Sequence, residues 1–112
     1  EKENRPWGSF IVLSEDKKYK IKKIEVNPKG RLSYQYHNKR SELWYVLSGE
    51  GIVTINDEKI KLNIGSTIKI NKRDKHRVEN NGSENLVFIE IQTGSYFGED
   101  DIIRLDDDYN RE

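Results

Sequence analysis

Apolar residues recur at every second position through the middle of the chain. Val53 and Ile55 alternate with polar neighbours, as do Ile60, Leu62 and Ile64, then Ile68 and Ile70, then Val87, Ile89 and Ile91. A period of two predicts strands with one buried face, here the face that carries these residues. Turn-forming residues punctuate the strands at Asn27-Pro28-Lys29-Gly30, Ser48-Gly49, Asn56-Asp57, Asn80-Asn81-Gly82 and Gly94. Many short strands with regular turns predict an all-β domain of barrel or jelly-roll type. No internal repeat and no low-complexity linker interrupts it.

The ends depart from this pattern. The stretch RPWGSF (5–10) closes an entry arm, residues 1–10, whose Trp7 is expected to cover one edge of the barrel. The stretch GEDDIIRLDDDYNRE (98–112) is acidic, with Ile102, Ile103 and Leu105 as its aliphatic anchors. It is expected to form a short helix or an extended cover, its acidic cluster a solvated tail.

Composition narrows the function classes. At 112 residues the chain suffices for one domain, 1–112, with a single core. Alanine is absent, and Ile, Val and Tyr make up most of the apolar set, which again favours strands over helices. Lys and Arg number 20 against 20 Asp and Glu, interspersed rather than clustered, so no basic face for nucleic acid is expected. No apolar run is long enough to span a membrane, and no secretion signal is visible. The absence of cysteine excludes disulfides and thiol chemistry and fits a reducing compartment, so a cytoplasmic location is expected. The missing initiator methionine is read as a trimmed chain or a piece of a longer one.

Candidate chemistry concentrates in residues 35–51, QYHNKRSELWYVLSGEG. On a strand, residues two apart share a face, so Gln35 and His37 are expected to be neighbours. Glu42 follows a loop-like excursion, Asn38-Lys39-Arg40-Ser41, and opens the next strand with Trp44 and Val46 on its own side. The chain has two histidines, and the second, His76, has Val78 as its same-face neighbour. If the face of Gln35, His37 and Glu42 lines the barrel, these three groups converge near its mouth, and His76 follows about one strand pair later at a ligand-compatible position. An unpaired carboxylate there would cost several kcal/mol in desolvation, roughly enough to unfold a small domain. A divalent cation would remove that cost, and this donor set suits Zn, Fe, Co, Ni or Mn. A hydrogen-bonded polar cluster would also remove it, with Glu42 paired to Arg40 or Arg77 and His37 satisfied inside the barrel. Both readings stay open on spacing alone.

The stretches KGRLSYQYHNKRSELWYVLSGEG and HRVENNGSENLVFIEIQTG resemble the two motifs of cupins, with Gln35 in place of the first histidine. Together with RPWGSF and GSYFGEDDIIRLDDDYNR, the chain is similar over nearly its whole length to one branch. That branch is the cupin domain of type II mannose-6-phosphate isomerase, often fused behind a mannose-1-phosphate guanylyltransferase. The chain departs from the branch at Asn38-Lys39, Leu43, Asn71 and Arg73, around the four ligand positions but not at them. The resemblance implies a cupin-type double-stranded β-helix with Gln35, His37, Glu42 and His76 as metal ligands.

It also implies a metal-dependent interconversion of mannose 6-phosphate and fructose 6-phosphate through an enediolate. Lys22 and Glu90 are the candidates for the catalytic base, each with an outward, solvated position as its alternative. The substrate phosphate needs a cationic clamp, for which Arg104 is the first candidate and Arg40 the second. Tyr36 is expected on the face opposite Gln35 and His37, where it suits a partner surface, and a homodimer is expected. The competing expectation is a non-catalytic cupin module that binds a sugar or nucleotide sugar or serves dimerisation. A different cupin enzyme, an oxygenase or epimerase, is a third, and Gln35 argues against it.

Overall fold

In the structure, a computed structural model describing residues 1–110, the period-two pattern resolves into eleven strands. They are β1 (Lys2–Arg5), β2 (Gly8–Glu15), β3 (Tyr19–Val26), β4 (Tyr34–Tyr36), β5 (Arg40–Ser48) and β6 (Gly51–Ile55). They continue as β7 (Glu58–Leu62), β8 (Thr67–Ile70), β9 (His76–Glu79), β10 (Leu86–Gly94) and β11 (Ile103–Asp106). Two antiparallel sheets result, one of six strands in the order β1-β2-β3-β10-β5-β8 and one of five in the order β11-β4-β9-β6-β7. No helix of the described residues is long and apolar enough to cross a membrane.

The turns follow local chemistry. Asn56 and Asp57 join β6 to β7 with φ of 48° and 71°, the positive pair that a two-residue type I′ hairpin requires. Gly49, between β5 and β6, has φ of 81°, and a Cβ there would meet the Asn85 carbonyl oxygen at 2.4 Å. Gly49→Ala is therefore expected to destabilise by about 1–3 kcal/mol, seen as a lower thermal midpoint. A midpoint equal to that of the unsubstituted protein would contradict this.

The registers show how the interior changes character along the strands. Across β3, β10 and β5 the inward rows run from Ile24, Phe88 and Val46, through Lys22, Glu90 and Trp44, to Gln92 and Glu42. The apolar end holds the core, where Val26, Val46, Val53, Leu62, Val78, Leu86 and Phe88 are fully buried and Trp44 stacks on Phe88 at 4.6 Å. The polar end is equally inaccessible but carries Lys22, Arg40, Glu42, Glu90 and Gln92.

This gradient corrects several expectations. Leu86, Phe88, Glu90 and Gln92 are the buried residues of β10, whereas Val87, Ile89 and Ile91 are half-buried on the other face, beside Tyr45 and Leu43. Period-two hydrophobicity pointed the wrong way because the inner face of β10 turns polar where it lines the site. In the second sheet β7 is an edge strand, so of Ile60, Leu62 and Ile64 only Leu62 is buried. Residues 1–10 are not a mere arm: β1 and β2 pair, and Trp7 and Phe10 belong to the core. The C-terminal segment is an extended cover, with β11 paired to β4. Of its expected aliphatic anchors Ile102 is half-buried against the cavity, while Ile103 and Leu105 are exposed. In the acidic cluster Asp101 and Asp107 are buried, although Glu99, Asp100, Asp106 and Asp108 are solvated. Positions 111 and 112 lie outside the described residues.

Candidate metal centre

His37 follows β4, Glu42 lies on β5 and His76 opens β9, so three separate strand regions bring these groups together. One potential ligand atom from each lies within 4.8 Å of the others, and all three residues are buried. Gln35 is the direct cross-strand partner of His76, and it lines the same cavity. Its amide Nε2 reaches only the Ser33 carbonyl oxygen, at 3.5 Å.

Both imidazoles have their orientation fixed by backbone carbonyls. Nδ1 of His37 donates to the Asp101 oxygen at 2.9 Å, and Nδ1 of His76 to the Asp74 oxygen at 2.8 Å. A carbonyl oxygen can only accept, so each ring carries its proton on Nδ1 and leaves the Nε2 lone pair for a ligand. Such outer hydrogen bonds are what metal-ligating histidines characteristically make. Glu42 accepts from Trp44 Nε1 and from Arg40 Nε, both at 2.9 Å. Its Oε2 lies 3.3 Å from Nε2 of His37, and the Arg40 guanidinium bridges these two lone-pair bearers. The donor set of two neutral imidazoles, a carboxylate and an amide thus fits a borderline divalent ion.

Arg40 supplies positive charge at the same place. Sequence polarity put it in a loop; it is instead the first residue of β5, buried, with its Nη2 at 3.3 Å from His37 Nε2 and its Nη1 without a partner. Alternation explains this, because Arg40 shares the inward face of Glu42 and Trp44. Arg40 is therefore tied to the proposed ligands rather than free in solvent.

Lys22 and Glu90 face one another across the β3–β10 register and are both buried in the cavity wall. Their outward, solvated alternative does not hold. Lys22 packs over the Phe10 ring at 4.1 Å, and its Nζ is 3.4 Å from Glu99. Gln92 Nε2 donates to Glu90 at 2.6 Å. Arg104 lies opposite Gln35 in the β11–β4 register and lines the cavity, its buried Nε without a hydrogen-bond partner. Among the described residues no carboxylate pairs with it. Ser33, Glu99 and Asp101 complete the surroundings and were not singled out by sequence reasoning. Ser33 and Glu99 carry no distinctive spacing, and Asp101 was hidden inside an acidic run.

The charges of the metal-free site shape its titration. Burial pushes the Glu42 carboxyl up, but Arg40 and the two imidazoles outweigh it and hold Glu42 well below the usual carboxylate range. Burial, with the Glu42 charge adding to it, pushes Glu90 up to about 8. Burial brings His37 down to about 4, with Glu42 opposing and Arg40 and His76 assisting. Unfolded, His37 titrates near 6.5 and Glu90 near 4.5. Below 6.5 the unfolded chain takes up a proton on His37 that the folded one refuses until about 4, so this group makes stability fall as pH falls. Between 4.5 and about 8 the folded chain alone keeps a proton on Glu90, so this group makes stability fall as pH rises. From 4.5 to 6.5 the two slopes oppose one another, and from 6.5 to about 8 Glu90 acts alone. The thermal midpoint of metal-free protein should accordingly decline across that upper window, and Glu90→Gln should flatten the decline. An unchanged decline in the variant would contradict the assignment.

Comparison with known proteins agrees with this architecture. The family model described as mannose-6-phosphate isomerase C-terminal matches residues 1–107. The alginate biosynthesis protein AlgA of Pseudomonas aeruginosa is 43% identical over 107 residues, covering 96% of this chain and 22% of that protein. A mannose-1-phosphate guanylyltransferase of Klebsiella pneumoniae is 41% identical over 107 residues, covering 96% of this chain and 23% of that protein. The chain thus spans less than a quarter of the length of these curated relatives. Among solved structures, an oxalate decarboxylase of Lactobacillus farciminis superposes with a TM-score of 0.80 at 18% identity, covering 94% of this chain and 33% of the other. At that identity the likeness concerns the fold, a cupin double-stranded β-helix.

Proposed function

The chain belongs to the family of the mannose-6-phosphate isomerase C-terminal domain, and from that premise we propose that its cavity is a metal-dependent sugar-phosphate isomerase site. The reaction is the interconversion of mannose 6-phosphate and fructose 6-phosphate through an enediolate. The observation that carries this reading is one cavity holding the His37, Glu42 and His76 cluster together with the unpaired Arg104 guanidinium. The first suits a divalent ion, the second a phosphoryl group.

His37, Glu42 and His76, with Gln35 as a fourth donor, would hold a Zn, Co, Mn, Ni or Fe ion, which when bound supplies Lewis acidity toward the sugar oxygens. Arg104 binds the phosphate and so fixes where C1 and C2 lie. Glu90 carries the proton between C1 and C2, and Lys22, opposite it, stabilises its ionised form. Trp44 and Arg40 hold the Glu42 carboxylate in one orientation.

Arg104→Gln tests the phosphate assignment. It is expected to raise KM for mannose 6-phosphate by about 10- to 100-fold, the worth of one charge-assisted contact, with a smaller effect on kcat. An unchanged KM would move the phosphate elsewhere. A second reading, a binding module without metal, is favoured by one observation: Arg40 already bridges His37 and Glu42. On that reading the purified protein takes up no divalent ion at micromolar concentration. Uptake of one equivalent per chain, lost in His76→Ala, would exclude it.

A further inference from the structure

The two imidazoles are oriented by different means. His76 is held by the carbonyl of Asp74, two residues before it in the same turn. His37 is held by the carbonyl of Asp101, 64 residues away in the C-terminal segment. The side chain of Asp101 grips the residues that follow His37. Its Oδ1 accepts from the Asn38 amide at 3.2 Å and its Oδ2 from the Lys39 amide at 2.9 Å. Asp101 is buried and forms no ion pair with any of the described residues. Backbone N–H groups are therefore what compensate its charge. One residue thus clamps the β4–β5 connection through its carboxylate and the ligand ring through its carbonyl.

Other bonds reach this connection. Arg73 N donates to the His37 carbonyl at 2.8 Å and Ser95 N to the Lys39 carbonyl at 3.1 Å, but neither touches the imidazole. Near the far end of the C-terminal segment, Asp108 pairs with Arg31 at 2.7 Å and lies 3.9 Å from Arg77, touching neither imidazole.

We propose that Asp101 is a positioning residue that sets metal affinity, by keeping His37 in the Nδ1–H form with its Nε2 unprotonated. The inference rests on the metal-centre reading given above. The C-terminal cover is accordingly part of the centre rather than a lid over it, and metal affinity depends on how residues 98–106 dock against β4.

The test uses Asp101→Ala, Asp101→Asn and, as a control on the same segment, Asp108→Ala. Zn²⁺ affinity is read by competition with a chromophoric chelator. The tautomer of His37 is read in metal-free protein by ¹⁵N NMR of the imidazole nitrogens. Asp101→Ala is expected to weaken Zn²⁺ binding by about 10- to 100-fold and to replace the single Nδ1–H tautomer by a mixture. Asp101→Asn, which keeps one acceptor oxygen, should lose less, and Asp108→Ala should change neither readout. If Asp101→Ala does not fold, Asp101→Asn is judged by the same two readouts. Unchanged affinity and tautomer in the Asp101 variants would overturn the inference. So would an equal loss in Asp108→Ala, which would reduce the effect to general loosening of the segment. Unsubstituted protein that takes up no Zn²⁺ would overturn the metal reading itself, an outcome distinct from a variant that binds as well as its parent.

Discussion

His37→Ala is expected to remove metal binding and isomerase activity together, lowering kcat/KM by about 10³-fold or more while the barrel stays folded. The magnitude follows from the chemistry proposed. Lewis-acid stabilisation of developing charge at the sugar oxygens is worth several kcal/mol, and each ~1.4 kcal/mol is a factor of ten in rate. The fold should survive because the ring is not part of the apolar end of the core. Its removal deletes the bond to the Asp101 carbonyl and leaves Arg40 Nη2 without its acceptor, while Glu42 keeps Arg40 Nε and Trp44. Such losses cost about 1–3 kcal/mol, compatible with a folded domain. The check is paired: metal content and turnover on one preparation, with a thermal melt to establish folding. A folded variant that retains both metal and activity would remove His37 from the ligand set.

Arg40→Met is the second substitution with a large expected effect, and it acts on stability before activity. Arg40 and Glu42 form an ion pair at 2.9 Å with side chains 5% and 2% exposed. Removing the guanidinium leaves a buried carboxylate with the Trp44 and protonated Glu90 donors and two neutral imidazoles around it, and no cation. Breaking one side of a buried pair typically costs about 3–5 kcal/mol, more than the pair itself contributes. In the presence of a chelator, Arg40→Met should therefore melt far below the parent. With Zn²⁺ added, the ion supplies the missing charge and much of the loss should be recovered, a rescue expected only if Glu42 faces the metal. A variant whose melting is unaffected by Zn²⁺ would place Glu42 in a purely structural pair.

These two expectations share an origin that the sequence exposed only in part. Gln35, His37, Glu42 and His76 were visible because their residue types are out of place beside Trp44 and Val46 on strands of period two. The alternation through Glu42, Trp44 and Val46 was also legible, and all three are buried as expected. The phase of β10 was not. Its inward face begins with Leu86 and Phe88 and ends with Glu90 and Gln92, while its half-buried outer face is uniformly aliphatic. Hydrophobicity tracks burial only where the interior is apolar, and a barrel that holds a polar site breaks that link at the site. Lys22 on β3 is among the candidates, but its inward position is hidden for the same reason. Arg40 shows a second limit, since a charged residue next to a loop-like run reads as loop, although its register beside Glu42 puts it inside. Asp101 shows a third: its role depends on a contact across 64 residues, which no local pattern carries.

The central claim is that this cavity isomerises a sugar phosphate with the help of a divalent ion. The most direct measurement is the formation of fructose 6-phosphate from mannose 6-phosphate by the protein loaded in turn with Zn, Co, Mn, Ni and Fe. Fructose 6-phosphate should form with at least one of these ions, cease on chelation and resume when that ion is restored. Folded protein that retains its metal and forms no fructose 6-phosphate with any of the five would contradict the account.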